Sequence, residues 1–230
     1  GAAHLADLAP DPSPVRLVYH GLDLARFPAP PAPRGEGPFT LVSVGRLVEK
    51  KGYDVLLDAL ARLPEDIDWR FVHIGGGKLA SGLAARAGRL GLAERIDWRG
   101  KRDQTEVIAA LRAADLFVLP SRIAADGDRD GLPNVLMEAA SQRVPILATR
   151  VSAIPEFLPD ARYGLLVPPE DPEALADAIA ALAGDPERRR AMAEAAQARL
   201  HAEFAVEAGI ERLTALLATA LERMPTRAAA

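Results

Sequence analysis

The densest chemistry in the chain lies between residues 126 and 138. Asp126, Asp128 and Asp130 alternate with other residues, Gly131-Leu132-Pro133-Asn134 follows, and Glu138 closes the run. Three chemistries fit parts of it. Asp126, Asp128, Asp130 and Gly131 match positions 1, 3, 5 and 6 of an EF-hand calcium loop. Position 12 of such a loop must be a bidentate Glu, and here it is Met137, with Glu138 one residue late. The EF-hand is therefore rejected, and weaker divalent binding to the aspartates stays open. Asp130 with Glu138 would make a glycosidase carboxylate pair, but no apolar setting marks either as a raised-pKa proton donor, so this ranks low. The third chemistry is a nucleotide-sugar site. Gly131, Leu132 and Pro133 lead into a helix whose first-turn amides are free and carry the positive end of its dipole. Asp130 before that turn and Glu138 one to two turns along can accept hydroxyls from two parts of one ligand, while amides and cations take its phosphates.

Suitable cations stand elsewhere in the chain. Gly45-Arg46-Leu47-Val48-Glu49-Lys50-Lys51-Gly52 offers a glycine that lets a ligand approach the backbone, with Arg46 and Lys51 flanking a helix start. A solvated basic turn would have the same composition. The chain holds only four lysines, Lys50, Lys51, Lys78 and Lys101, and finding two of them adjacent favours function. Gly75-Gly76-Gly77 has neither the Gly-x-Gly-x-x-Gly spacing of a dinucleotide fold nor a Walker Lys-Ser/Thr. It reads equally as a tight strand-to-helix turn or as amides facing an oxyanion.

Apolar runs of four to six residues alternate with helical periodicity, and these elements must position the residues above. Strands are expected at Phe39–Val44, Trp69–Ile74, Arg95–Trp98, Leu116–Leu119, Ile146–Ala148 and Gly164–Val167. Helices are expected on the face Tyr53, Leu56, Leu57, Leu60, near 79–90, over 104–113, and near 133–142. Asp171-Pro172-Glu173 and Asp185-Pro186-Glu187 each set an N-cap acid, a first-turn proline and a first-turn acid, opening helices near 171–183 and 185–203. A last amphipathic helix carries Ile210, Leu213, Leu216, Leu217 and Leu221. Alternation of this kind predicts an α/β class: a Rossmann-like parallel sheet flanked by helices, with a helical C-terminal extension. In such sheets ligands sit at the carboxyl ends of the strands, where all three glycine-bearing segments fall. Residues 1–14 read as a linker or tail, 15–205 as the nucleotide-sugar-binding domain and 206–226 as the C-terminal helix. His73 and the two tryptophans read as packing, His4 and His201 as exposed, and His20 as a turn residue.

Composition removes other classes. The 230 residues carry 28 Lys+Arg against 32 Asp+Glu, a formal net charge of −4, which argues against a nucleic-acid partner. There is no cysteine, so no disulfide scaffold. No apolar stretch reaches the ~18 residues a membrane span needs. Arginine outnumbers lysine 24 to 4 (28 − 4 = 24) and alanine reaches 45, a bias expected of a GC-rich bacterial genome. Gly1 in place of Met leads us to expect an excised piece.

The chain resembles the C-terminal, donor-binding domain of a retaining family 4, or group 1, glycosyltransferase of GT-B architecture, over roughly 15–226. His20-Gly21-Leu22-Asp23 with Phe27 is similar to that family's interdomain segment, and Gly45-Arg46-Leu47 through Lys51-Gly52 to its diphosphate motif. Trp98-Arg99-Gly100 is similar to the strand end before the base pocket, Asp130-Gly131-Leu132-Pro133 through Glu138 to its Glu-x7-Glu motif, and Thr149 through Glu156 to the segment after it. These motifs, in order and at matching spacing, carry the resemblance. It implies Arg46 and Lys51 on the donor diphosphate, stabilising leaving-group charge, and Asp130 on the donor sugar, with Gly131, Leu132 and Pro133 beside it. It implies the backbone at Gly100 and Lys101 on the base and Glu138 on the ribose; Gly45, Gly75 and Gly76 complete the expected donor-binding set. The donor would be a UDP-, GDP- or ADP-sugar, with no required metal or cofactor, and a hexose would be transferred with retention. The partner would be an N-terminal acceptor domain of the same protein, absent here, leaving the fragment inactive alone. Its exposed interdomain face would offer a dimer contact, and the full protein would be cytoplasmic or peripheral at the inner membrane. Asp130 is one methylene shorter than the family's Glu and sets its carboxylate about 1–1.5 Å further back. The competing reading is a non-catalytic nucleotide-binding or regulatory module that kept the fold.

Overall fold

The computed structural model describes residues 16–31 and 37–222, Glu222 by its backbone alone. The expected tail at 1–14, residues 32–36 and residues 223–226 of the last helix lie outside this range. Six strands form one parallel sheet: β1 (Phe39–Val44), β2 (Trp69–Ile74), β3 (Ile96–Trp98), β4 (Leu116–Leu119), β5 (Ile146–Thr149) and β6 (Leu165–Val167), in the order β3-β2-β1-β4-β5-β6. Eight helices accompany them among the described residues: α1 (Tyr53–Leu60), α2 (Ala80–Arg89), α3 (Gln104–Arg112), α4 (Asn134–Ser141), α5 (Ile154–Phe157), α6 (Pro172–Ala183), α7 (Pro186–Glu203) and α8 (Val206–Glu222). The strands are near-continuous apolar runs because both sheet faces are covered. Successive residues feed opposite cores. Leu41, Phe71, Val118 and Leu147 pack under α1, α2 and α6, while Val42, Val72, Phe117 and Ile146 pack under α3, α4 and α7.

Helix starts follow from their caps. Asp171 accepts from the Ala174 amide and Asp185 from that of Arg188, each before the expected first-turn proline; Asp103 caps α3 in the same way. Differences from the sequence expectation are local. Arg95 belongs to a short 3₁₀ turn, Ala93–Arg95, and β3 starts one residue later. Gly164 precedes β6, and the four-residue α5 and the 3₁₀ turns Leu24–Arg26 and Glu49–Lys51 are too short to leave a periodicity. Strand order reverses between β1 and β4. Sheets of this kind bind ligands in the crevice that this reversal opens at the carboxyl ends.

Candidate active site

The loop after β1 and the loop after β4 meet at that reversal. The 3₁₀ turn Glu49–Lys51 ends at Gly52 (φ 62°), whose left-handed backbone starts α1. A side chain on Gly52 would overlap the Pro120 carbonyl oxygen, so glycine is what allows the two loops to touch. Lys51 is thereby held 8% exposed with its ammonium 2.7 Å from Asp130 Oδ2. Lys50 bonds Asp128 Oδ1 at 2.9 Å and stands 3.6 Å from Asp130 Oδ1. The Asp128 bond holds the Lys50 ammonium above its usual range and the Asp128 carboxyl below its own. Arg46 is exposed on the same loop, its charge felt at Lys50 and Asp128.

The loop bearing Asp128 is fastened to the β1 loop along its length. The Arg122 amide donates to the Lys50 carbonyl and its guanidinium to the Glu49 carbonyl and to Asp54, while the Ala125 amide donates to Glu49 Oε1. Asp128 is thus one of the fastening points of this loop. Among the described residues no group of three or more Asp, Glu or His is arranged to hold a metal ion.

Asp130 is set from below. Ser121 Oγ donates to Asp130 Oδ2 at 3.2 Å, and Thr149 Oγ1 donates to the Ser121 carbonyl. Beyond Asp130, Gly131 has open space where a side chain would stand. Pro133 occupies the N-cap of α4 without a side-chain cap and has no N–H of its own, so the free amides there belong to its neighbours. Asn134 Oδ1 pairs with His20 Nε2 at 2.6 Å, which makes His20 a contact of this helix start as well as a turn residue.

Glu138 lies half-buried one turn into α4, and burial raises its carboxyl pKa, with Arg26 opposing. Arg26 also donates to Gln104 at the start of α3 (2.8 Å), tying α3, α4 and the segment before β1 together. Sequence patterning passed over Arg26 because it stands in an aperiodic stretch.

The glycines bring the first three strand ends together. Gly75 (φ 141°) donates its amide to the Gly100 carbonyl at 2.8 Å, and a side chain on Gly75 would overlap the Gly45 carbonyl oxygen. The Leu47 amide bonds the Gly76 carbonyl at 3.0 Å, and Lys101 lies against Gly76. The open question over Gly75-Gly76-Gly77 therefore resolves for Gly75: its amide is used inside the protein, and close loop packing is what requires glycine. Beneath this layer His73 is fully buried, with Tyr53 edge-on at 4.5 Å and Trp98 at 5.3 Å. Neither imidazole nitrogen makes a hydrogen bond of ordinary geometry; burial lowers the pKa to about 4, with the nearby Gly45 backbone opposing weakly.

A parallel sheet in this order, with cations after β1 facing a carboxylate after β4, is an open α/β domain with its charged groups gathered where the strand order reverses. Residues 29–199 match the family model described as "Glycosyl transferases group 1". The chain belongs to this family, and its sheet and helices form the Rossmann-like half of a GT-B architecture. It is 37% identical over 157 residues to the putative colanic acid biosynthesis glycosyltransferase WcaL of Escherichia coli K12, covering 68% of this chain and 39% of that protein. Among solved structures it is similar to HepE of Anabaena in complex with UDP: 25% identity, TM-score 0.70, 79% of this chain and 49% of that one. It also matches the C-terminal domain of the group 1 glycosyltransferase LpcC of Francisella tularensis: 24% identity, TM-score 0.70, 81% of this chain and 100% of that one. The chain thus spans about two-fifths of the length of the curated relatives it matches first.

Proposed function

We propose that this chain binds the nucleoside-diphosphate-sugar donor of a glycosyltransferase that transfers a hexose with retention of anomeric configuration. The observation that carries this reading is the Lys51–Asp130 pair at the sheet's topological switch point, 2.7 Å apart. Arg46 and Lys51 take the diphosphate and stabilise charge on the leaving group. Asp130 accepts from the donor sugar, Glu138 from the ribose, and the backbone at Gly100 and Lys101 lies beside the base. The phosphate charge is met by fixed cations, so no metal is required. Similarity to a UDP-bound HepE supports a UDP donor first, with GDP and ADP as the alternatives.

The acceptor belongs to a preceding domain of the full-length protein, without which transfer does not occur. The exposed Ile210, Leu213, Leu217 and Leu221 on α8 support a place for that domain; in the isolated chain they offer a self-association surface. No helix among the described residues is long and apolar enough to cross a membrane. The reading places the full protein in a bacterial cytoplasm or peripherally at the inner membrane. The test is a calorimetric panel of UDP, GDP, ADP and their sugars against the chain. One base class binding in the micromolar range supports the reading. No heat with any of them at millimolar ligand overturns it.

A further inference from the structure

We propose that Ser121, held by Thr149, is a positioning residue that sets the plane of the Asp130 carboxylate and so decides how the donor sugar is read. The inference rests on the donor-binding reading above. Ser121 and Thr149 are 0% and 1% exposed, two of the few buried polar side chains among the described residues. Ser121 lies just past the end of β4, and Thr149 is the last residue of β5. The Thr149 hydroxyl donates to the Ser121 carbonyl, and the Ser121 hydroxyl to Asp130 Oδ2 at 3.2 Å. Lys51 donates to the same oxygen at 2.7 Å. A chain of hydrogen bonds therefore runs from the carboxyl end of β5, through the Ser121 backbone carbonyl and hydroxyl, to the Asp130 carboxylate.

The relay treats the two carboxylate oxygens differently. Oδ2 receives both hydrogen bonds. Oδ1 has Lys50 at 3.6 Å, an ion-pair distance, and the hydrogen bond of Lys50 goes to Asp128 at 2.9 Å. An ionised carboxylate is acceptor-only. Oδ1 is thus the atom left to accept a hydroxyl, and its direction is fixed by the donors on Oδ2. Lys51 alone would not fix that plane, because an ammonium is a compact charge on a flexible stem. The buried, strand-anchored Ser121 supplies a second point. The ligand this suits is a sugar with a hydroxyl donor at that position; a sugar with an acidic group there would set two anions against each other.

The experiment compares two affinities in the chain, measured calorimetrically: the nucleoside diphosphate that binds best, and its sugar. Ser121→Ala and Thr149→Val are expected to leave the nucleoside diphosphate within about twofold. They should lower the extra affinity conferred by the sugar by about threefold to tenfold, because the carboxylate is turned and its bond to the sugar weakened rather than removed. Thr149→Ser, which keeps the hydroxyl, restores it. An equal loss for both ligands, or no loss for either, overturns the proposal. Failure of the unsubstituted chain to bind any nucleoside diphosphate overturns the donor-binding reading, and this inference falls with it. A crystal structure of Ser121→Ala reads the positioning without ligand: Asp130 is expected to turn about its Cβ–Cγ bond, and an unmoved carboxylate overturns the role of Ser121.

Discussion

Lys51 and Asp130 stand 79 residues apart in sequence, and their side chains meet at 2.7 Å, each largely shielded from water. The pair closes the crevice at the reversal of strand order with one charge from each side. It also sets up a competition. A diphosphate reaching Lys51 must share the ammonium with a carboxylate already bound to it. Asp130→Asn is therefore expected to tighten binding of a nucleoside diphosphate severalfold while removing the discrimination between nucleotide and nucleotide sugar. Lys51→Met is expected to weaken nucleoside diphosphate binding at least tenfold, about the worth of one charged hydrogen bond. Isothermal titration of both variants checks the pair. Equal weakening by both substitutions would show that the carboxylate assists the phosphates rather than competing with them.

Glycine is required at Gly52 and Gly75 by geometry, and Gly131 is the control. Both required positions have positive φ, 62° and 141°, and a side chain at either would overlap a backbone carbonyl oxygen. Gly131 has neither constraint. Gly52→Ala and Gly75→Ala are each expected to cost about 2–3 kcal/mol or more, and Gly131→Ala less than about 1 kcal/mol. Urea unfolding of the three variants decides it, and a Gly75→Ala protein as stable as Gly131→Ala would contradict the packing described here.

His73 gives the stability a pH dependence of its own. Its folded pKa is about 4 against an ordinary 6.5, because burial among Tyr53, Phe71 and Trp98 disfavours the charged ring. The unfolded chain therefore takes up the proton first as pH falls. The contribution of neutral His73 is complete above pH 6.5, is lost progressively between 6.5 and 4, and levels below 4. The loss by pH 5 is about 2 kcal/mol relative to pH 7. His73→Phe keeps a ring in the same slot and removes the proton. The difference between the two proteins in unfolding free energy should change by that amount between pH 7 and pH 5; a constant difference would mean His73 titrates normally.

The sheet was legible because its strands are buried on both faces and leave unbroken apolar runs, and because Asp171 and Asp185 announce their helices. The meeting of Lys51 with Asp130 was legible only as two motifs in order: periodicity gives each segment its place after a strand, and the strand order supplies the encounter. Ser121 left no signal, since one serine after a strand resembles any other until its neighbours in space are known. His20 was read as a turn residue because its partner, Asn134, is 114 positions away. Gly75 reads from the sequence as a tight turn or as an amide facing an oxyanion, and its donation to Gly100 and closeness to the Gly45 carbonyl depend on strands that only the fold brings together.

The apolar stripe on α8 carries the last prediction. Ile210, Leu213, Leu217 and Leu221 recur at helical spacing and are 59, 48, 55 and 68% exposed, while the start of the helix is anchored: Val206 donates to the Leu22 carbonyl, and Gly209 packs on the Tyr19 carbonyl. The helix is thus fixed at one end and bare along one face, and scattered single leucines would need no such alignment. Because these side chains contribute almost nothing to the core of the described domain, Leu217→Glu is expected to change its unfolding free energy by less than about 0.5 kcal/mol. If the proposed contacts use this face, the same change is expected to remove concentration-dependent self-association of the isolated chain and to weaken docking of the proposed preceding domain. Sedimentation velocity over a hundredfold concentration range, paired with urea unfolding, separates the two effects. A large loss of stability in the isolated chain would show that this face packs on the domain itself; unchanged association would place the self-contact elsewhere on the surface.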